Sequence, residues 1–535
     1  MTLTEQVPGS GRRTERTRPA RSRWGAAGLG LLCGTLALAV ADLVAGLLAP
    51  SASPVLAVGS AFIDRTPGWL KDAAIAWFGL HDKQVLLGGL AVVLAALSAL
   101  AGLLAARSVR LLVPAAAVLA AVAAAAALSR PGARFWWALP ALIGVSIGAA
   151  GLVWLTRGWR ARSHDVRAGD PLDPAAGAAT DQVPDRSRRG LLTGAGTVAG
   201  LAALSAAGGR ALAARSGTGP SGIRLPLAAT PAPAPVADLA LPGLTPLVTA
   251  NRDFYRIDTA LSVPRVDADS WRLRVHGLVE SEVELDLREL LDEQLVERWL
   301  TLTCVSNEVG GRLAGNARWL GYPLARLLER ARPSAEADMV LSTSADGWTC
   351  STPLAALTDG RDALLAVGMN GAPLPAEHGF PARMVVPGLY GYVSATKWVV
   401  DLEVTRFDRA QAYWTSRGYA AQAPVRTFSR IDVPKPFARV AAGRVAVAGT
   451  TWAQQRGIDA IQVRVDGGRW NEARLAAAIS SDTWRQWSWQ WDATPGQHTL
   501  EVAATDGAGA MQPGTRRTPR PDGATGWHSV VVQVT

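Results

Sequence analysis

The chain has 535 residues and a formal net charge of +10, which is enough sequence for several domains. Its arginines concentrate beside apolar stretches instead of forming a basic face interleaved with aromatic residues, so we expect a membrane protein and no nucleic-acid partner. The three cysteines, Cys33, Cys304 and Cys350, are too few and too widely spaced for a disulfide framework or a paired zinc site.

The first part of the chain is predicted to be a membrane region. Residues 1–24 are polar and Arg-rich and are predicted to be a disordered basic N-terminus. Apolar runs at about 25–48, 84–106, 109–128 and 135–156 each approach the roughly 20 residues that a bilayer requires, which predicts a four-helix transmembrane region over 25–156. Residues 50–83 are predicted to be an external loop with one short amphipathic helix. The arginines that follow the second and fourth runs favour a cytoplasmic N-terminus.

A fifth apolar run follows a linker. Residues 157–190 are rich in Pro, Ala, Asp and Arg and are predicted to be a cytoplasmic linker. Arg188 and Arg189 precede the apolar segment 191–214, which is either an anchor with a twin-arginine export signal or an ordinary anchor with two cytoplasmic arginines. Either interpretation gives five crossings and places the rest of the chain outside the membrane. Residues 215–244 are predicted to be a semi-extended Pro/Ala tether.

The remaining sequence predicts two folded domains, so the expected fold class is α+β after N-terminal transmembrane helices. Residues 245–412 mix strands, such as Trp271–His276, with short helices, such as Leu320–Ala331. Residues 425–535 contain strands and turns at the spacing of a β-sandwich. Trp487, Trp489 and Trp491 alternate along one strand and are predicted to form part of the sandwich core.

Five clusters carry candidate site residues. Cys304 follows a β-rich run and precedes Asn307 and the pair Gly310-Gly311, which places a thiol where a strand ends. Taken alone, Cys304 is better explained as a small buried residue than as a functional thiol, and in an oxidising compartment it could also pair with Cys350. The other four clusters are Asn251–Asp258, His378–Gly388, Ser394–Trp398 and Tyr413–Tyr419.

Together, in this order and spacing, the five clusters resemble the sulfite oxidase family of mononuclear molybdenum enzymes. The resemblance covers about 245–535 and implies a molybdopterin-binding domain followed by an immunoglobulin-like domain of the kind that pairs two copies. It implies a molybdenum cofactor with one pterin per metal, in which Cys304 is the protein's sulfur ligand. A soft thiolate suits such a metal.

The resemblance also implies the surroundings of the cofactor and the substrate. Three basic residues of this chain resemble the family's phosphate and pterin contacts: His378, Arg383 and Lys397. Further cofactor contacts are implied at Asn251, Phe254, Tyr255, Asn307, Ser394 and Thr396. Arg256 and Tyr419 match the family's substrate-pocket arginine and tyrosine, which would clamp an anion and help to move a proton.

The implied activity is a two-electron oxygen-atom transfer on sulfite or a similar small oxyanion outside the membrane. Glu308 and Val309 stand where sulfite oxidases carry two arginines, which leaves the substrate open. The same site in reverse would reduce a sulfoxide, of the methionine sulfoxide type, or an N-oxide, and a non-enzymatic membrane-tethered module is a further alternative. The sequence shows no haem attachment motif, so we expect no haem and a separate cytochrome or quinone-linked electron carrier.

Overall fold

The computed structural model describes residues 21–78, 81–130, 132–168, 186–215, 219–236 and 238–535. The chain divides into two compact units, Met1–Arg215 and Ser216–Thr535, which are described separately. Most of the N-terminus predicted to be disordered, residues 1–20, lies outside the described residues, as do residues 169–185 of the predicted linker.

The first unit is helical. Its helices are α1 (Arg21–Leu48), α2 (Pro54–Arg65), α3 (Gly68–Phe78), α4 (Asp82–Arg107), α5 (Val109–Leu128), α6 (Leu139–Ala168) and α7 (Arg186–Arg215). Helix α1 packs against α4, α6 and α7. The segments long and apolar enough to cross a membrane, among the described residues, are Arg23–Leu48, Asp82–Arg107, Val109–Leu128, Phe135–Arg157 and Leu192–Leu212.

The region 50–83 differs from the expectation of one short helix, because it contains both α2 and α3. Thr66 lies between them in an extended conformation, with φ −67° and ψ 127°. The next residue is Pro67, whose ring disfavours a helical conformation at the preceding residue. The proline therefore divides one apolar segment into two helices.

The second unit is α+β, as predicted. Its helices are α8 (Leu287–Asp292), α9 (Leu324–Ala331) and α10 (Ala355–Thr358). Its strands up to residue 405 are β1 (Arg272–Gly277), β2 (Val283–Asp286), β3 (Val296–Thr303), β4 (Ala314–Pro323), β5 (Met339–Ser344), β6 (Thr349–Pro353), β7 (Leu364–Met369), β8 (Ala372–Pro373), β9 (Arg383–Val385) and β10 (Val399–Thr405). Leu320 belongs to β4 and not to the helix predicted over Leu320–Ala331, because β4 continues its pairing with β7 up to Pro323.

Two sheets build the part of this unit that carries the candidate site. One has the order β2-β1-β10-β5-β6, with β1 and β10 parallel. The other has the order β3-β4-β7-β8, and β9 also pairs with β7. Strand β3, which leads to Cys304, is the edge strand of the second sheet, and its inner side pairs with β4 from Val296 to Thr303.

The C-terminal strands form one curled sheet. They are β11 (Phe428–Val433), β12 (Arg439–Val440), β13 (Gly443–Trp452), β14 (Ile458–Val465), β15 (Asn471–Leu475), β16 (Arg485–Ala493), β17 (Gly496–Asp506) and β18 (His528–Val534). Their order is β11-β13-β16-β15-β14-β17-β18-β12. The curl brings the two ends of the sheet near each other, because the Ser429 hydroxyl of β11 donates to the carbonyl of Val502 in β17 at 3.2 Å. Trp487 and Trp491 are buried in its core, and Trp489 packs against it, which fits the predicted sandwich.

The C-terminal sheet and the preceding domain share a core. Trp452 and Trp484 extend from the C-terminal strands into the cluster that also contains Trp319 and Leu300. The indole of Trp484 donates to the carbonyl of Leu247 at 2.7 Å. These buried contacts make the two predicted domains one packed body.

The segment predicted to be a tether lies on this body. The amide of Ala229 donates to Leu295 O at 2.8 Å, and the amide of Glu297 donates to Thr230 O at the same distance. Further along, the indole of Trp299 donates to Pro233 O at 2.9 Å. This pairing covers the outer edge of β3, so the segment serves here as a strap on the sheet and not as a free spacer.

Candidate active site

A cleft lies where β3 ends and loops from several strands meet. Cys304 directly follows β3, and the segment after it forms the Cys304 turn, which we define as residues 304–313. The cleft is lined by Phe254, Tyr255, Ile257, Asp258, Thr259, Cys304, Val305, Ser306, Ser344, Asp346, Trp348, His378, Arg383, Gly391, Tyr392, Ala395, Lys397, Trp398, Trp414 and Tyr419. All five sequence clusters, including the one that contains Cys304, place residues on the lining of this cleft.

The Cys304 turn is fixed by its own backbone. The amide of Cys304 donates to Leu313 O at 2.9 Å, and the amide of Asn307 donates to Cys304 O at 3.0 Å. The side-chain oxygen of Asn307 accepts the amide of Leu313 at 2.8 Å. Gly310 has φ +80°, a left-handed conformation that glycine adopts without steric penalty. The Asn and Gly signals in the sequence therefore shape the turn that holds the thiol in place.

The thiol itself is buried and reduced. Cys304 is 9% exposed, and all three cysteines are free, so the alternative disulfide between Cys304 and Cys350 is not formed. Burial raises the pKa of the Cys304 thiol, while hydrogen bonds from Ser306 act in the opposite direction. A bound cation would reverse this preference and favour the thiolate.

Aromatic packing builds one wall of the cleft. The rings of Phe254 and Tyr255 stack with centroids 5.2 Å apart, and Phe254 meets Trp319 edge-on at 5.7 Å. Phe254 also meets the ring of His378 at 5.6 Å. Nε2 of His378 lies 2.9 Å from the carbonyl oxygen of Asn251, and burial lowers the pKa of this histidine to about 4. At neutral pH His378 is therefore a neutral donor held against the 251–255 segment.

Arg383 brings a charge into the interior. It is 5% exposed, and its guanidinium donates to the carbonyls of His378 at 3.0 Å and of Ala395 at 3.4 Å. Within the described residues, no carboxylate forms an ion pair with Arg383. Burial lowers its pKa to about 10, so it stays charged at neutral pH. Its hydrogen bonds to the described residues go to carbonyls, and it also lies over the ring of Trp319 at 5.2 Å. A buried cation of this kind, with no carboxylate of the described residues beside it, favours an anionic ligand.

Lys397 and Arg256 share one carboxylate. Nζ of Lys397 lies 2.6 Å from Oδ2 of Asp258, and Nε of Arg256 lies 2.9 Å from the same oxygen. Asp258 and Lys397 are buried, with side chains 5% and 9% exposed, whereas the side chain of Arg256 is 39% exposed. Burial lowers the pKa of Lys397 to about 8, against the opposing effect of Asp258. Asp258 thus links a cation inside the cleft to a cation on its rim.

The opposite end of the cleft is aromatic. Tyr419 meets Tyr392 at 5.5 Å and Trp414 at 5.2 Å between ring centroids. Asp346 lies in a turn on the same lining, and its carboxylate accepts the amide of Trp348 at 3.2 Å. Sequence reasoning did not select Asp258, Asp346, Trp348 or Tyr392. A signal existed only for Asp258, which ends the cluster that also contains Arg256.

The residues predicted for the site fall into two groups. Seven line the cleft: Phe254, Tyr255, Cys304, His378, Arg383, Lys397 and Tyr419. Five stand behind it or on its rim: Asn251, Arg256, Asn307, Ser394 and Thr396. Ser394 donates its hydroxyl to Tyr390 O at 3.0 Å, and the hydroxyls of Thr396 and Ser342 are 2.6 Å apart. Nδ2 of Asn307 is buried without a partner among the described residues.

Comparison with known proteins gives a consistent assignment. The model of the oxidoreductase molybdopterin binding domain family matches residues 260–414. The uncharacterized oxidoreductase YuiH of Bacillus subtilis is 33% identical over 153 residues, which cover 29% of this chain and 74% of that protein. Human mitochondrial sulfite oxidase is 28% identical over 317 residues, which cover 50% of this chain and 58% of that enzyme.

Among solved structures, the sulfane dehydrogenase SoxCD of Paracoccus pantotrophus is similar, with 24% identity and a TM-score of 0.48 over 55% of this chain and 82% of that chain. This chain spans less than two thirds of the length of the human sulfite oxidase that it matches. The family match nevertheless covers the segment that contains the thiol, His378, Arg383 and Lys397. The chain belongs to the sulfite oxidase family of molybdopterin-binding oxidoreductases.

Proposed function

We propose that this oxidoreductase is a membrane-anchored, extracytoplasmic molybdenum enzyme that adds an oxygen atom to sulfite or a similar small oxyanion and takes two electrons from it. One observation carries the proposal: a free buried thiol and three basic side chains line the same cleft. When bound, the molybdenum–pterin cofactor supplies the redox chemistry and the exchange of the oxygen atom.

The donor set fits that cofactor. Cys304 offers a soft sulfur at the end of a rigid turn, which suits the metal. Arg383 offers a buried guanidinium without a carboxylate partner among the described residues, which suits a phosphate dianion. Lys397 and His378 add a point charge and a neutral donor beside it. Asn251 holds His378 in position through its carbonyl, and Phe254 and Tyr255 cover the pterin side of the cleft.

The remaining predicted contacts support this inner wall. Ser394 and Thr396 are fully buried. Ser394 bonds to the carbonyl of Tyr390 and Thr396 bonds to Ser342 of β5, so in this proposal they hold the segment that carries Lys397. Asn307 combines a bonded oxygen with an unpartnered Nδ2 within the described residues, and it supplies a donor close to the sulfur.

Arg256 and Tyr419 are the proposed substrate residues. Arg256 uses only Nε toward Asp258, and its Nη groups make no hydrogen bond to the described residues. A guanidinium has five N–H donors, so the free edge can clamp an oxyanion at the mouth of the cleft. Tyr419 lines the cleft and can donate its phenol to the oxygen being transferred. Both residues act by holding the anion and a proton in place.

In this proposal the first unit anchors the chain in the membrane. Among the described residues of this unit, five apolar segments are long enough to cross a bilayer, and the arginines beside them favour a cytoplasmic N-terminus. The second unit then lies on the extracytoplasmic side and passes its electrons to a separate cytochrome or quinone-linked carrier. We also propose that the C-terminal sheet pairs two copies of the chain.

A second candidate function is supported by the aromatic end of the cleft. Trp348, Trp414, Tyr392 and Tyr419 offer ring faces, Asp346 adds a negative charge, and Asp258 partly neutralises Arg256. Such a wall favours a neutral organic oxide over an anion. The same site would then reduce a sulfoxide or an N-oxide.

Metal analysis and a substrate panel test these proposals. We expect about one molybdenum and one pterin for each detergent-purified chain, and sulfite oxidation with an artificial electron acceptor. Cys304→Ser should lose turnover while keeping most of its pterin, with Cys350→Ser as the matched control. Full turnover in Cys304→Ser would end the assignment. Activity only with sulfoxides and a reduced dye would select the second candidate.

A further inference from the structure

We infer that the C-terminal sheet positions the Cys304 turn through His528 and Arg430, so that these two residues are positioning residues for the sulfur ligand. The inference rests on the proposed function, in which Cys304 binds the metal. It assigns the sheet a task inside its own chain, separate from any pairing of two copies.

The first contact is between His528 and Gly310. A Cβ atom built on Gly310 would lie 2.2 Å from Cδ2 and 2.3 Å from Nε2 of His528. The imidazole therefore lies directly against the α-carbon of the turn, where any larger residue would collide with it. Gly310 is also held at φ +80°, so the turn uses glycine both for its conformation and for this close contact.

The ring of His528 is itself held in one orientation. His528 is the first residue of β18, and its Nδ1 accepts the backbone amide of Ile431 in β11 at 3.0 Å. An Nδ1 that accepts leaves the ring proton on Nε2, the atom that faces Gly310. Two strands of the C-terminal sheet thus fix the ring that touches the turn.

The second contact is between Arg430 and Gly311. Nη1 of Arg430 donates to the carbonyl of Gly311 at 2.6 Å, and Nη2 donates to the hydroxyl of Thr245 at 3.0 Å. Nε pairs with Asp432 at 2.9 Å, and both side chains of this ion pair are 7% exposed. Each of the three guanidinium nitrogens thus donates to a different acceptor, and this buried arrangement holds the carbonyl of Gly311 in place.

These contacts act on the sulfur through a short path. Gly310 and Gly311 close the turn, in which the amide of Gly311 donates to Glu308 O at 2.8 Å and the amide of Asn307 donates to Cys304 O. The strand before Cys304 is held by a loop of the same sheet, because the amide of Thr301 donates at 2.9 Å to the carbonyl of Asp482, which lies between β15 and β16. The C-terminal sheet therefore grips the chain on both sides of the thiol.

Three variants test the inference in the detergent-purified full chain. His528→Ala removes both the ring and the acceptor for Ile431. His528→Asn keeps an acceptor near the position of Nδ1 but loses the ring face against Gly310. His498→Ala is the matched control, because His498 belongs to the same sheet and bonds to Asp466 and Thr494 away from the cleft.

The first readout needs no cofactor. In chain produced without molybdopterin, the rate at which iodoacetamide alkylates Cys304 is measured by mass spectrometry, with buried Cys350 as internal reference. We expect His528→Asn to raise the Cys304 rate at least fivefold while its unfolding temperature stays close to that of the wild type. His528→Ala should raise the rate further, and His498→Ala should leave it unchanged. Equal rates in the wild type and both His528 variants would overturn the inference.

The second readout uses the loaded enzyme. Molybdenum-edge X-ray absorption reports the number and distance of sulfur neighbours, and kinetics separate kcat from KM. We expect His528→Asn to alter the metal–sulfur distances and to lower kcat about tenfold with KM within twofold. Unaltered distances and kcat would count against the inference. If Cys304→Ser shows the wild-type sulfur count, the proposed function fails, while the alkylation rates still decide the role of His528.

Discussion

Nζ of Lys397 lies 2.6 Å from Oδ2 of Asp258, which makes a buried aspartate the immediate partner of a cation inside the cleft. The same oxygen accepts Nε of Arg256 on the rim. One carboxylate therefore offsets part of the positive charge that the site offers to an anion. In the proposed function, Asp258 sets how strongly the cleft attracts anionic ligands.

Replacing Asp258 with asparagine should strengthen the binding of inert oxyanions. The change removes one negative charge near Lys397 and Arg256, and at an effective dielectric constant of about 20 two charges ~6 Å apart interact by roughly 3 kcal/mol. Screening by salt reduces this figure, so we expect sulfate to inhibit turnover about tenfold more tightly.

The matched control is Asp253→Asn, because Asp253 is exposed, pairs with Arg252 and does not line the cleft. Its inhibition constant for sulfate should stay within twofold of the wild type. Weaker sulfate inhibition in Asp258→Asn would mean that the aspartate organises the cations for the anion instead of competing with it.

Arg256→Ala tests the proposed clamp. Loss of the guanidinium removes a charged contact at the mouth of the cleft, so KM for sulfite should rise tenfold or more with kcat within about threefold. Arg256→Lys keeps the charge but loses the fork, and it should recover only part of the affinity. Steady-state kinetics at fixed ionic strength measure both parameters.

Arg252→Ala is the control for this change. Arg252 is four residues away, and its side chain is 86% exposed, so its removal should leave KM within twofold. An unchanged KM in Arg256→Ala would show that this arginine does not bind the substrate and serves only in its ion pair with Asp258. The aromatic end of the cleft would then be the favoured substrate subsite.

The sequence predicted many of the residues that line the cleft, but it did not predict the ion pairs between them. Seven of the twelve predicted residues line it, because motif spacing is tied to the ends of particular strands. The ion pair of Lys397 with Asp258 joins residues 139 positions apart, and no periodicity in either segment signals it. The position of Arg256 on the rim likewise depends on which carboxylate is near it in space.

Two features of the fold could not be predicted from the sequence, because they depend on contacts between distant parts of the chain. The Pro/Ala composition of residues 219–236 is typical of a tether. However, Ala229 bonds to Leu295, just before β3, and Thr230 bonds to Glu297 in β3, both through backbone groups that nearly every residue carries. The alternation of tryptophans predicted the sandwich core, yet it gave no sign that Trp484 would face Leu247 of the neighbouring domain. Which neighbour a buried tryptophan contacts depends on packing between distant segments, which the local sequence does not show.

Gly315→Ala should disturb the aromatic wall. A Cβ atom on Gly315 would lie 2.6 Å from Cε2 of Phe254, whose ring packs between Tyr255 and His378. Overpacking of this kind costs about 1–3 kcal/mol, and the displaced ring would narrow the cleft. We expect a lower free energy of unfolding and less than half of the wild-type pterin content.

Gly219→Ala is the control, because no atom of the described residues lies within 4 Å of a Cβ atom at that position. It should keep both stability and pterin content. Normal pterin content in Gly315→Ala would show that the position of Phe254 does not govern cofactor binding. Pterin fluorescence after denaturation measures the content directly.

His528 should make stability depend on pH. Burial, and then the charge of Arg430, lower its pKa to about 4, with a smaller effect of Arg516 in the same direction and an opposing effect of Asp432. The unfolded chain binds a proton near pH 6.5 and the native chain does not, so stability falls as pH decreases from about 7 to about 4. Between pH 7.5 and pH 5 this histidine should remove about 1–2 kcal/mol of the free energy of unfolding.

His528→Asn tests this, because asparagine does not titrate in that range. Denaturant unfolding of the detergent-purified chain at pH 7.5 and at pH 5 should show a smaller loss of stability in the variant, by about 1–2 kcal/mol. In His498→Asn we expect the opposite result, namely a larger loss of stability between pH 7.5 and pH 5 than in the wild type. The carboxylate of Asp466 raises the pKa of His498, so the native chain gains stability from this histidine as it becomes protonated. Removing that contribution should enlarge the loss at pH 5, and equal losses in all three proteins would contradict a neutral, buried His528.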